Sequence, residues 1–441
     1  MMKAVIFAGG NGMDKGSAVI ILENREALRV AASAGRISTT GGSALEVLQK
    51  SDGGEKDIRL VGKVLSSGHR SVVEHQTFSL AFDNVSVLVE QFVIEFRLAS
   101  FTVKSRRYVD FSDAGYVVPE GAPEGYRARM DALFALYERL LELGVPREDA
   151  RFVLPYCFRS NFYVTLNARE LAHMLGAMLY GRGARYGEIY ALGLSLREQL
   201  ERLYPGLIGD AGAYATALEP LAQSFQDACA AHGRAQLLSA PEAAPLLDTA
   251  LGFSRRMFDA KRLLTDARAR ELELLNYVFK VSDVSLSCVT HFARHRMQSP
   301  MFLSAVDALA RGRYVLAPSV AAIPEAKEAY EAAFAQQASF TREMLRRGMR
   351  PQDAAYCALS GHTADILFSM NARELLHFFK LRTCDRAQWE IRGVAWQMLA
   401  LLRERDPWLF DGYGPSCLVT GRCPEGRLSC GHPYQKGGTR Q

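Results

Sequence analysis

The chain repeats itself, so it has to build one local frame twice. Asn167-Ala168-Arg169-Glu170-Leu171-Ala172-His173 returns as Asn371-Ala372-Arg373-Glu374-Leu375-Leu376-His377, an offset of 371 − 167 = 204 residues. At the same offset Gly144 meets Gly348, and Asp149-Ala150 meets Asp353-Ala354. A second echo joins Arg97-x-x-Ser100-x-x-x-x-Ser105 to Arg296-x-x-Ser299-x-x-x-x-Ser304, at 296 − 97 = 199. The change of offset implies small insertions between the echoes, one of them just before Arg313-Tyr314. A chain of 441 residues also exceeds the roughly 100–200 of a single domain. Two tandem copies are therefore expected, 1–225 and 226–441, the second ending in a Cys-rich tail. The stretch from Ala213 to Pro245, rich in Ala and carrying Pro220, Pro241 and Pro245, reads as helix plus connector.

Within each copy a half-polar strand (Thr77 to Phe82; Tyr277 to Val281) runs into an apolar helix (Val85 to Arg97; Val284 to Arg296). A polar segment with Ser follows, then two helices, the second opening near Asn-Ala-Arg-Glu-Leu. Strands set among long helices predict an α+β fold, an α/β-type mixed sheet flanked by long helices. Hydrophobic residues at 49% allow a sizeable core. Fifty-three Lys and Arg against 48 Asp and Glu leave a net charge of +5. That balance argues against the strongly basic face of a nucleic-acid binder and suits a protein that collects small anions. No apolar run approaches the ~20 residues of a membrane span. The apolar N-terminus shows no cleavage pattern, and a cytoplasmic protein is expected. Cys157, Cys229, Cys288, Cys357 and Cys384 are scattered singly and are expected to be reduced and mostly buried.

The densest chemical constellation is Arg294-His295-Arg296, with Ser304 at 304 − 296 = 8 residues beyond. By composition alone it is either a solvated basic turn or an anion site. The apolar helix before it and the added hydroxyl favour the anion site, since guanidinium forks match phosphate and carboxylate geometry.

Arg-His-Arg followed by seven residues and Ser resembles the signature of the flavin-dependent thymidylate synthases. Gly68-His69-Arg70-Ser71-Val72-Val73-Glu74-His75 is similar to that family's Gly-His-x-Ser-x-x-Glu-His segment. Arg97 through Ser105-Arg106-Arg107-Tyr108 is similar to the latter half of the signature. Asn371 to Gln388-Trp389-Glu390-Ile391, containing Leu381-Arg382, is similar to the family's uridylate-binding helix. The resemblance covers most of residues 55–200 and 270–430. It implies that reduced FAD delivers hydride, methylenetetrahydrofolate delivers one carbon, dUMP becomes dTMP and NADPH reduces the flavin. No cysteine nucleophile is implied, and the protein supplies orientation and electrostatics.

The resemblance also implies site residues, divided between the copies. The first copy keeps Ser105, Arg107 and Arg151 but reads Glu95-Phe96-Arg97 at the signature and Met178 at the uridylate position. The second keeps Arg294, His295, Arg296 and Arg382 but has Ala355 for Arg151 and Val306 for Arg107. Ser105, Arg107 and Arg382 are implied to be catalytic, and they bind substrate together with Arg151. His75, Arg294, His295, Arg296, Asn371, Arg373 and His377 are implied to border the flavin. Phe92 and His291 stand where the family commonly has Gln, and Thr102-Val103 and Met301-Phe302 where it has amide and acid. A homodimer mimicking the family's four-copy assembly follows, with dUMP and folate as its small-molecule partners. Other readings are C5 modification of another pyrimidine nucleotide, or an inactive flavin-binding homologue. His173 and His377, alone on apolar helices, are either core residues or flavin neighbours. Cys417, Cys423, Cys430 and His432 have looser spacing than a zinc knuckle, and no metal is expected. Gly9-Gly10-Asn11-Gly12 reads as a flexible turn rather than a phosphate loop.

Overall fold

The computed structural model describes residues 16–22, 26–37, 40, 43–218, 220–266 and 269–434. The Gly9–Gly12 turn lies outside them. Two compact units are present. The first takes residues up to Arg147, Val153–Gln223 and Ser339–Ala358. The second takes Glu148–Phe152, Ser224–Ala338 and the residues from Leu359 on.

In the first unit β1 (Ala18–Leu22), β2 (Thr77–Ser86), β3 (Ala99–Val103) and β4 (Arg159–Asn167) form a sheet of order β1-β2-β4-β3. In the second, β5 (Cys229–Ala231) and β9 (Arg313–Val315) pair in parallel. There β6 (Arg234–Ser239), β7 (Asn276–Ser285), β8 (Gln298–Phe302) and β10 (Thr363–Asn371) form a sheet of order β6-β7-β10-β8. Both four-stranded sheets are antiparallel throughout. The helices that position the sites are α1 (Val87–Ile94), α2 (Tyr126–Glu142), α3 (Ala168–Tyr180) and α4 (Gly187–Leu203) in the first unit. In the second they are α5 (Leu286–Ala293), α6 (Ala372–Arg382) and α7 (Trp389–Arg405). The α+β class holds.

Alternation makes the sheets. Phe78, Leu80 and Phe82 point into one core, and Tyr277, Phe279 and Val281 into the other. Phe82 stacks on Phe162 at 4.6 Å and Phe279 on Phe368 at 5.8 Å. Each second-position strand then bulges, at Asn84 with φ 57° and at Asp283 with φ 57°. Asn and Asp tolerate that left-handed backbone better than most residues. After the bulge comes a serine cap: Ser86 accepts from the Val89 N–H and Ser285 from the Cys288 N–H. Strand therefore passes to helix with no loop, and the strands run further than the sequence pattern suggested. The helices stop at Ile94 and Ala293, short of Arg97 and Arg296.

One sequence expectation fails and one element was missed. Two helices follow the serine segment in each copy, the second opening at Asn167 and at Asn371 as expected, but the strands β4 and β10 at the centre of each sheet lie just before it. Their side chains alternate between buried and exposed along Phe162-Tyr163-Val164-Thr165-Leu166, a two-residue period that opposes helix. Among the described residues, the Ala213 to Pro245 stretch holds no helix between Ala215 and Glu242. It supplies β5 and β6 instead, with Cys229 N–H donating to the Gly312 carbonyl at 3.0 Å. Cys157, Cys288 and Cys357 are buried as expected, whereas Cys229 is exposed and Cys384 half-buried. No described helix is long and apolar enough to cross a membrane.

Candidate active site

The second unit closes around His295. α5 ends at Ala293, Arg294 caps it, and the next residue is driven inward: His295 is buried while Arg294 and Arg296 stay exposed. Its Nδ1 lies 3.0 Å from Glu374 Oε1. Arg382 Nε donates to its Nε2 at 3.0 Å, and Arg382 Nη2 donates to the His291 carbonyl at 3.3 Å. One ring nitrogen faces a carboxylate and the other faces a donor, which selects the neutral tautomer with hydrogen on Nδ1. Burial, and then the Arg382 charge and His377, hold the imidazole well below its usual range. Burial raises the Glu374 carboxyl against the pull of His377 and Arg296.

Helix periodicity delivers these groups. The Asn371 side chain accepts from the Glu374 N–H and starts α6. Glu374, Phe378 and Arg382 then recur at four-residue steps along one face, and the Phe378 ring meets His295 edge-on at 4.9 Å. His377 is exposed, its ring 5.7 Å from that of His295. Beside this clamp is a cleft of about 630 Å³, lined by Met297, Arg373, Glu374, His377, Lys380 and Glu273 among others. Arg373 ion-pairs with Glu273, and Lys380 Nζ donates to the Leu264 carbonyl at 3.4 Å. The cleft is large enough for a nucleotide-sized group, and Arg373 and Lys380 give it cationic donors beside the His377 ring.

Arg151 also belongs to the second unit. It is buried, with Nε donating to the Glu148 carbonyl at 2.9 Å. Burial lifts the Cys288 thiol well above its range, against both the Arg382 and the Arg151 guanidiniums. Arg151 and Arg382 thus both bear electrostatically on the Cys288 thiol of α5. Burial likewise lifts Glu390 to about 7, opposed by hydrogen bonds from Ser285 and by Arg151.

The other expected residues lie in the first unit. Ser105 follows β3, half-buried, and its Oγ accepts from the Arg107 N–H at 3.3 Å. The Arg107 guanidinium lies over Tyr108 at 5.4 Å. His75 is exposed in the turn before β2, next to Glu74, which pairs with Arg169 at 2.5 Å. The second copy's signature serine has a different task. Ser304 caps the short helix Ala305–Ala310 and donates to Asp307 Oδ2 at 2.6 Å, while Val306 is buried inside that helix. Sequence reasoning missed Glu374 as the partner of His295, although it stands within the repeated Asn-Ala-Arg-Glu. It also missed Arg106, which is buried against Glu90 at 2.7 Å. Among the described residues no group of three or more His, Cys, Asp or Glu could hold a metal ion.

The family model described as thymidylate synthase complementing protein matches residues 20–206 and again 250–408. The flavin-dependent thymidylate synthase of Geobacter sulfurreducens is 37% identical over 163 residues, covering 36% of this chain and 70% of that relative. The enzyme of the same name from Pyrococcus abyssi is 33% identical over 176 residues, covering 38% and 72%. Among solved structures, a UMP/dUMP methylase from Streptomyces cacaoi covers 46% of this chain and 97% of its own at 24% identity, with a TM-score of 0.35. Thymidylate synthase X from Helicobacter pylori, solved with FAD and dUMP, covers 44% and 98% at 23% identity, with a TM-score of 0.37. On the strength of the two family-model matches and the sequence relatives, this chain belongs to the thymidylate synthase complementing protein family, whose pattern it carries twice.

Proposed function

We propose that the chain converts dUMP to dTMP by reductive methylation, with methylenetetrahydrofolate as carbon donor and FAD reduced by NADPH. The observation that carries this reading is the clamp on Arg382. A neutral buried His295 and the His291 carbonyl fix two edges of its guanidinium. An arginine held this way offers a pre-aimed cation for a uridylate, and ordering it in advance lowers the cost of binding. Arg294, Arg296 and Arg373, with His377, Asn371 and His75, are the residues that would hold FAD. When bound, FAD supplies the hydride. The side chains themselves bind and orient the nucleotide and stabilise negative charge developing on the uracil oxygen. Ser105 and Arg107 complete the substrate set in this reading, making a composite site from the copies 1–225 and 226–441. Two chains then reproduce a four-copy assembly.

The test is tritium release from 5-tritiated dUMP with methylenetetrahydrofolate and NADPH, combined with equilibrium titration of FAD and dUMP. Turnover with saturation near one dUMP and one FAD per chain is expected. No tritium release, or two nucleotides bound per chain, overturns the reading.

A further inference from the structure

The first unit holds a second cavity, of about 660 Å³, that the reaction above does not use. Its origin lies in one residue. Glu188 near the start of α4 and Glu390 near the start of α7 do the same job: they accept the Ser86 N–H at 2.9 Å and the Ser285 N–H at 2.6 Å. The residue just before each differs. In the second unit it is Trp389, whose indole Nε1 donates to Asp149 Oδ1 at 2.7 Å, beside the Phe152 ring. In the first unit it is Gly187, which lines the cavity. The counterpart of Asp149 is Asp353, also buried, bound by Arg350 Nε at 2.7 Å and lining the same cavity. A carboxylate that receives an indole N–H in one unit thus faces a void in the other.

The rest of the wall defines what fits there. Val117, Val118 and Pro119 form an apolar side. Arg127, Arg159, Arg185 and Arg350 outnumber Glu120, Glu188 and Asp353, leaving one net positive charge. Arg159 is committed to the Asn84 carbonyl at 2.6 Å, and Arg350 to Asp353. Arg127 is exposed, and its guanidinium makes no hydrogen bond or ion pair among the described residues. We propose that this cavity is a binding site for a planar aromatic anion carrying a ring N–H: the ring takes the space that Trp389 fills in the other unit, the N–H donates to Asp353, and the anionic arm meets Arg127. Apolar cavities of only roughly 150 Å³ already bind benzene, and a buried acceptor with a nearby cation adds direction and charge selectivity.

The probe is indole-3-propionate, titrated calorimetrically into the full chain with saturating dUMP present, alongside uncharged indole and cationic tryptamine. Indole-3-propionate should bind more tightly than either, at about one per chain. Gly187→Trp should weaken it by about tenfold or more by filling the space, because the loss of a charged hydrogen bond or its ring site is worth at least that factor. A Cβ at Gly187 comes no closer than 3.4 Å, to the end of the Arg350 side chain. Gly187→Leu serves as the second variant if the tryptophan is not accommodated. Arg127→Ala should weaken the propionate by about tenfold but leave uncharged indole within about twofold. Tritium release should be unchanged in all three variants. No binding of the propionate, equal binding in Gly187→Trp and Gly187→Leu, preference for tryptamine, or displacement by dUMP would each overturn the proposal.

Discussion

Phe96 in the first unit and His295 in the second occupy the same step, the second residue after an apolar helix, and both are buried. Around Phe96 the first unit is oily. The ring meets Phe92 at 5.5 Å and His173 at 5.2 Å, and Met178, at the Arg382 position, is fully buried. Glu95, in place of Arg294, pairs with Arg182 at 2.5 Å. Around His295 the second unit is a polar clamp of Glu374, Arg382 and the His291 carbonyl. The frame beneath is unchanged: Asn167 and Asn371 cap their helices on the N–H groups of Glu170 and Glu374. One frame therefore folds around either filling. Replacing a whole polar group with well-packed apolar side chains is often nearly neutral for stability. The clamp in the second unit is not needed for folding, which points to function as the reason for its presence.

The sharpest way to break this comparison is to make the second unit resemble the first. Arg382→Met copies Met178 and should fold, since the first unit packs that side chain without strain. The affinity for dUMP should fall by about 10–100-fold, the worth of a charged hydrogen bond. Turnover should fall by about 10²–10³-fold if the arginine also steadies charge in the transition state. Unchanged dUMP affinity in a folded Arg382→Met protein would remove Arg382 from the site.

A second contrast concerns the two buried glutamates. Glu188 receives three donors, Ser86 N–H, Ser17 Oγ and Tyr356 OH, at 2.9, 2.8 and 3.2 Å. Glu390 receives two, both from Ser285, and stands near the Asp149 charge. Burial raises Glu390 from 4.5 to about 7. A raised carboxyl favours the folded state while it keeps its proton. Its contribution is whole below pH 4.5 and is lost as pH rises through 7, amounting to about 3 kcal/mol by the usual conversion. Glu390→Gln keeps both Ser285 contacts and has no charge to bury. Melting followed from pH 4.5 to 7.5 should show the stability of Glu390→Gln relative to the parent rising with pH, a difference from which the opposing histidines cancel. Parallel curves would show that Glu390 is already ionised in the fold. His295 and His362 act in the opposite direction over the same range: burial lowers both, His362 to about 3. Their stabilisation is present above pH 6.5 and fades as pH falls.

Much of this was legible in the sequence because it is local. The Asn-Ala-Arg-Glu repeat is a helix cap, and caps declare themselves within four residues. Arg294-His295-Arg296 and Arg382 were legible as a cationic group through the family resemblance. The partner of His295 was not. Glu374 lies 374 − 295 = 79 residues away, and only the pairing of β10 with β7 and β8 brings α6 to the end of α5. Ser304 misled for the opposite reason: its partner is local, Asp307 three residues on, which turned a signature hydroxyl into a cap. The cavity at Gly187 was invisible because a glycine at a helix start looks ordinary until its counterpart is known to be Trp389.

The smallest expected effect is in the first unit, at Arg182. The guanidinium pairs with Glu95 at 2.5 Å and lies 5.0 Å from the Phe92 ring. Glu95 stands where Arg294 stands in the other unit, so this pair occupies the position of half the signature. If the first unit carries no nucleotide site, Arg182 has only a surface contact to lose. Its side chain is 49% exposed, so the ion pair is worth about 0.2–1 kcal/mol and the ring contact about as much. Arg182→Ala should therefore lower stability by about 2 kcal/mol at most, less at high salt. It should leave dUMP stoichiometry and tritium release unchanged. A drop in turnover beyond about twofold, larger than a surface contact of that strength can transmit, would mean that the oily filling around Phe96 is itself a working site. The asymmetry between the units would then be one of substrate rather than of activity.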